Sequence, residues 1–156
     1  MKVKDFMITD VVSITKDQSI RQLLELLVKH RIGGVPVVDE NNYLDSMISD
    51  GDVIRYLQPK GRTVYDMYMV FLVNERENFS QKLHYSTEHK VEKIMRRSPL
   101  YTVHPEDQVE AAFAIISKHH FKKIPVVNDE NKVVGVVSRG DLIRFISTKL
   151  LADKGE

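Results

Sequence analysis

The sequence predicts an α/β fold of the α+β kind, built as two stacked copies of a strand-helix-strand-strand-helix unit related by a pseudo-twofold. Three observations carry this. First, Ser49, Gly51 and Asp52 recur as Ser138, Gly140 and Asp141, 89 positions further on. The same offset maps Pro36-Val37-Val38 onto Pro125-Val126-Val127 and Lys29-His30 onto Lys118-His119. One offset shared by separated matches means one unit written twice. Second, each copy alternates short β-branched runs with stretches of helical spacing. Third, Ala111, Ala112, Phe113, Ala114, Ile115 and Ile116 leave one predicted helix apolar almost all round, so it needs cover on more than one side. A unit this small buries little alone, whereas two stacked units share a core.

Repeat one is read over residues 3–57. Val11-Val12-Ser13-Ile14 reads as a strand. Asp17 and Ser19 offer caps for a helix from Ile20 to His30, whose apolar face is Ile20, Leu23, Leu24, Leu27 and Val28. Gly33-Gly34 is expected to end it. Val35 to Val38 is a buried-type strand in which Pro36 signals an edge or an unpaired amide. Asp39 to Asn42 turns the chain, Tyr43 to Ile48 returns as a strand, and a helix runs from Gly51 to Leu57.

Residues 58–90 match nothing else and read as an ordered, partly helical insert, with Val64, Met67, Tyr68 and Phe71 able to share a helical face. Repeat two is read over residues 91–146. Val91 and Met95 echo Val3 and Met7 at an offset of 88, and one extra residue near Pro99 restores 89. Tyr101 to Val103 is its first strand, and Asp107 caps a helix from Val109 to Lys118. Ile124–Val127 and Lys132–Val137 form a hairpin, and Gly140 to Ile146 is its last helix. Residues 147–156 read as a C-terminal tail.

The chain has 156 residues, 42% hydrophobic and 29% charged, enough for a core. A net charge of +1 and the lack of interleaved aromatic and basic residues argue against nucleic acid. Without cysteine there is no disulfide or thiolate chemistry. The start reads as no signal peptide and no apolar run is long enough to span a bilayer, so no membrane partner and a cytoplasmic location are expected. Six histidines lack ligand spacing with acids, so no metal site is expected. No Walker loop, no G-x-G-x-x-G and no nucleophile elbow is present, and Ser138 has no histidine at relay spacing, so no enzyme is expected.

The residues Lys4-Asp5-Phe6-Met7 and Glu92-Lys93-Ile94-Met95 begin the two repeats. Val35-Pro36-Val37-Val38-Asp39 and Ile124-Pro125-Val126-Val127-Asn128 stand in their middles, and Ser49-Asp50-Gly51-Asp52 and Ser138-Arg139-Gly140-Asp141 close them. In this order and spacing the chain resembles the CBS domain family, named for cystathionine β-synthase, in the tandem arrangement called a Bateman module. The resemblance covers nearly all of the chain except residues 58–90 and the tail. It implies two clefts between units packed through their sheets. It also implies adenosine-containing ligands: AMP, ADP, ATP, S-adenosylmethionine, sometimes NAD or a cyclic dinucleotide. Carried over by position, Asp52 and Asp141 are the ribose carboxylates, and Ser49 and Ser138 the hydroxyls near phosphate or ribose. Lys122 and Lys123 stand where some members place phosphate-binding basic residues. Val12, Ile14, Val35, Tyr101, Val103 and Ile124 are candidates to sandwich the base, with plain core as their other role. Ser13, Gly34, Pro36, Thr102, Pro125 and Arg139 complete the ligand-binding set.

The chemistry supports that set without deciding it. A carboxylate offers two oxygens to vicinal hydroxyls, and a helix start offers amides to phosphate. Yet Ser-x-x-Asp before an apolar run is also a capping box, which serves only the helix. Lys122, Lys123 and Arg139 face a counterpart set of Gly33, Gly34 and Asp50, so one dominant phosphate site nearer repeat two is expected, with repeat one weaker, empty or Mg-assisted. The functional expectation is a regulatory adenine-nucleotide sensor (AMP, ADP or ATP) that needs no cofactor. The alternatives are a ligand-free structural or dimerisation module, or a pair binding S-adenosylmethionine, NAD or a cyclic dinucleotide. The apolar Val109 helix points to a homodimer.

Overall fold

The structure is a computed structural model and describes residues 1–58, 75–96 and 100–155, excluding the side chains of residues 75–78. Repeat one contains α1 (Ile20–His30), β1 (Gly34–Val38), β2 (Leu44–Ser49) and α2 (Asp50–Leu57). Helix α3 (Glu75–Thr87) follows, and it makes the described part of the insert helical. Repeat two contains α4 (Val109–His119), β3 (Lys123–Val127), β4 (Val133–Ser138) and α5 (Arg139–Asp153). The helical face expected of Val64 to Phe71 and the inserted residue near Pro99 lie outside the described residues.

Each repeat pairs two strands antiparallel, in the same register at the 89-residue offset: Gly34 opposite Ser49, and Lys123 opposite Ser138. The first predicted strand of each repeat is reduced to a single parallel bridge, Ile14 to Val37 and Val103 to Val126. Ile14 donates to the Pro36 carbonyl at 3.1 Å and accepts from Val38 at 2.9 Å. That bridge never needs a Pro36 amide, which is why proline is tolerated there. Val103 uses Pro125 and Val127 identically.

Ser19 caps α1, its side chain accepting from the Gln22 amide. Three local expectations are corrected. The residue that ends α1 in the left-handed region is Arg31 (φ 53°), not Gly33 or Gly34, and His120 (φ 56°) does the same for α4. Asp107 does not cap α4: its carboxylate accepts from the His104 amide at 2.8 Å, and Gln108 is the cap position. Helix α5 runs on to Asp153, through most of the expected tail, because no breaker interrupts it before Gly155.

The units meet in two ways. The hairpin turns bond to each other, Leu44 N to Asn131 O and Val133 N to Asn42 O, both at 3.1 Å. Val38, Leu44, Val127 and Val133 form a core beneath them. The opening turns are also exchanged. Val3 is fully buried in the core of repeat two, and Val91 in the core of repeat one. Burying a valine is worth roughly 1.5–3 kcal/mol, so each repeat is partly stabilised by the start of the other. After Val3 the chain lies on β4, where Ile8 and Val136 exchange two hydrogen bonds. Gly135 allows this, since a Cβ there would stand 2.8 Å from Met7 Sδ and 3.0 Å from the Ile8 carbonyl. Among the described residues no helix is long and apolar enough to cross a membrane.

Candidate functional site

The paired register brings the ends of β1, β2, β3 and β4 together around the pseudo-twofold. Between them opens a cleft of about 610 Å³. Repeat one lines it with Ile8, Arg31–Gly34 and Met47–Asp52 together with Arg55. Repeat two adds Arg96, Leu100, Tyr101, His120–Pro125 and Ser138–Gly140.

Of the expected site residues, the cleft gathers Gly34, Ser49, Asp52, Tyr101, Lys122, Lys123, Ile124, Pro125, Ser138 and Arg139. It does not gather the others. Val35 and Pro36 are buried in β1, and Val12, Ser13 and Thr102 are half-buried away from the lining. Ile14, Val35 and Val103 are core side chains. Tyr101 differs. It stays 39% exposed, stacks on the His119 ring with centroids 4.0 Å apart, and lines the cleft.

The two motif aspartates part company. Both turns form a capping box. Asp141 is buried in its box: Oδ2 accepts from the Ser138 amide and hydroxyl, both at 2.7 Å, while Oδ1 accepts from Arg144. It lies outside the cleft lining. Asp52 lies in that lining with its side chain 10% exposed. Its Oδ2 accepts from the Ser49 amide at 2.9 Å and hydroxyl at 3.1 Å. Its Oδ1 accepts from Arg55 at 2.8 Å and from Arg96 Nε at 3.4 Å. Burial pushes the Asp52 carboxyl up, but the Ser49 amide, Arg55, Arg96 and the Ser49 hydroxyl outweigh it and hold it below the usual carboxylate range.

Basic groups of repeat two reach into repeat one, with Arg96 at Asp52. Lys122 stands 3.7 Å from Asp50, and Lys123 Nζ donates to the Gly34 carbonyl at 3.2 Å. Burial pushes the Lys123 ammonium below its ordinary value, opposed by Asp141. The described lining holds six Arg and Lys side chains against two carboxylates, in a chain whose overall charge is +1. Positive charge concentrated in a cleft attracts an anion.

Sequence reasoning missed Arg31, Arg96, His120 and Phe121. The offset of 89 pairs Arg31 with His120 and Ile32 with Phe121, so the repeat itself marked three of them. The offset of 88 at the repeat starts pairs Arg96 with Ile8, which also lines the cleft but is apolar, so the repeat marked the place and not the charge.

A family model, CBS domain, matches residues 3–59 and 91–148. The chain belongs to the CBS domain family. This CBS pair is 34% identical over 130 residues to the CBS domain-containing protein CBSX1, chloroplastic, of Arabidopsis thaliana, which covers 81% of the chain but 55% of that protein. It thus spans about half of that relative's length. It is 27% identical over 155 residues to an uncharacterised protein of Methanocaldococcus jannaschii, covering 94% of this chain and 91% of that one. Among solved structures, CBSX2 in complex with AMP is similar at a TM-score of 0.70 and 28% identity, covering 94% of this CBS pair and 96% of that chain. The CBS domain pair of protein MJ0100 in complex with 5′-methylthioadenosine and S-adenosyl-L-methionine is similar at 0.69 and 25%, covering 96% and 98%.

Proposed function

We propose that this CBS pair is a regulatory module that binds a phosphate-bearing adenosine ligand in the cleft at Asp52. One observation carries this reading: a carboxylate, an aromatic face and a surplus of basic groups share one cleft of about 610 Å³. Asp52 offers Oδ1 to ribose hydroxyls, Tyr101 offers its ring to the base, and Lys122, Lys123 and Arg139 surround the anionic tail. The basic surplus favours AMP, ADP or ATP over uncharged 5′-methylthioadenosine. Similarity to a pair solved with AMP supports the same choice. The ligand acts by preferring one packing of the two repeats over another. A cation such as Mg²⁺ can accompany a longer phosphate tail.

A specific observation favours a second reading. Both aspartates are engaged in capping boxes, and Asp141 lies outside the cleft lining. On that reading the turns only start helices and the pair is a structural module. Thermal melting with AMP, ADP, ATP, NAD, S-adenosylmethionine and cyclic di-AMP separates the two. A ligand that binds the native state must raise the melting temperature. A rise with the adenine nucleotides supports the sensor, and no rise with any ligand leaves the structural module.

A further inference from the structure

Asp52 cannot receive a ribose in the state seen here. A carboxylate has about four acceptor positions. Four donors already point at Asp52: the Ser49 amide and hydroxyl on Oδ2, and Arg55 and Arg96 on Oδ1. A ribose hydroxyl can be accepted only if one of them leaves. The Ser49 pair belongs to the cap that starts α2, and Arg55 is held one turn along the same helix. Arg96 is different in each respect. It comes from outside the helix, at the end of the short turn that buries Val91 in repeat one. Its contact is the longest of the four, at 3.4 Å, and its side chain is 39% exposed. Its guanidinium lies 5.6 Å from the centre of the Phe121 ring, so it has a second place to rest when it lets go.

We propose that Arg96 is an internal competitor for the ribose carboxylate. It fills the acceptor position on Asp52 that an adenosine ligand needs, and ligand binding displaces it. The proposal rests on the reading of the cleft as an adenosine site. It adds a regulatory consequence. Arg96 directly follows the turn that buries Val91 in repeat one, so displacing the arginine couples ligand entry to the packing of the two repeats. The repeat relation sharpens this. The counterpart of Arg96 is Ile8, which cannot compete for a carboxylate. Only repeat two carries a basic residue at this place.

The test is calorimetric titration of wild type, Arg96→Leu, Asp52→Asn and the double variant. Leucine keeps apolar contact with Phe121 but cannot donate. Adenosine is the deciding probe, because it isolates the ribose contact from any phosphate, and AMP is titrated in parallel. Arg96→Leu is expected to bind adenosine roughly two- to fivefold more tightly, as fits a partly exposed ion pair. That gain is expected to vanish in the Asp52→Asn background. Unchanged or weaker adenosine binding by Arg96→Leu, or a gain that survives loss of Asp52, overturns the competitor while AMP binding by wild type leaves the site intact. Failure of every variant to bind either probe overturns both.

Discussion

Lys123 and Gly34 hold the same place in the two repeats, 89 residues apart, and they touch: the lysine Nζ donates to the glycine carbonyl at 3.2 Å. Equivalent positions that touch lie beside the pseudo-twofold, and both residues line the cleft. Burial disfavours the charged ammonium, so its pKa lies below the unfolded value of 10.5. A lysine depressed in this way opposes folding while charged, and the penalty fades as pH rises through the folded value toward 10.5. Lys123→Met should therefore melt higher than wild type at pH 7, with the gap closing toward pH 10.5, while its AMP affinity falls. Paired melting curves and titrations check both halves.

Arg31 poses the same conflict in the backbone. A non-glycine residue in the left-handed region costs about 1–2 kcal/mol, part of which glycine returns as unfolded-state entropy. Arg31→Gly should stabilise the fold by up to about 1 kcal/mol and weaken AMP binding, since Arg31 is one of the basic residues that line the cleft. A denaturant titration gives the first quantity and calorimetry the second. Stabilisation with unchanged affinity would assign Arg31 to the helix end alone.

The two aspartates should separate experimentally. Asp52→Asn keeps the shape of the cap but loses a charged acceptor in the cleft, so AMP binding should weaken by about 1.5–3 kcal/mol. Asp141→Asn, outside the cleft lining, should instead lower the melting temperature with little effect on affinity. The sequence alone expected Asp141 to bind ribose. Equal loss of binding from both variants would support that expectation.

The exchanged opening turn carries a pH signature. Lys2 and Lys4 ion-pair with Glu106, whose carboxyl is held down at about 2, first through the hydrogen bond from Lys2 and then through that from Lys4. A depressed carboxylate stabilises the fold above its unfolded pKa of 4.5 and loses that contribution as pH falls toward 2. The difference in melting temperature between wild type and Glu106→Gln should be constant above pH 5 and shrink below it. A difference independent of pH between 2 and 5 would show that the pair adds nothing.

Helix α4 remains only partly covered. Val109 and Ala112 are buried, but Ala114 is exposed, and Phe113, Ile115 and Ile116 are half-buried. Ile54 and Ile143, equivalent in the two repeats, are 67% and 62% exposed. Apolar exposure that follows the pseudo-twofold suits a second copy of the chain. Light scattering at micromolar concentration should give a dimer, and the double substitution Ile54→Lys/Ile143→Lys should give a monomer. A wild-type monomer would end this expectation.

The sequence by itself determined the duplication, both hairpins and the bounds of α1, because these follow from local pattern and from one offset. Ser19 with Gln22 caps a helix wherever the helix sits, and Asn128, like Asp39, closes its turn within a few residues. It also marked Gly34, Ser49, Lys122, Lys123 and Ser138 as belonging together, because the repeat carries them to matching strand ends. What only the tertiary structure decided is which copy serves which. Val3 and Val91 look equivalent in sequence, yet each is buried in the other repeat, since an apolar side chain records that it must be buried but not against what. Asp52 and Asp141 carry the same motif, yet only Asp52 lines the cleft. Arg96 reaches Asp52 across 44 residues of chain. Ion pairs between distant segments leave no periodicity, so no reading of spacing could have found that contact.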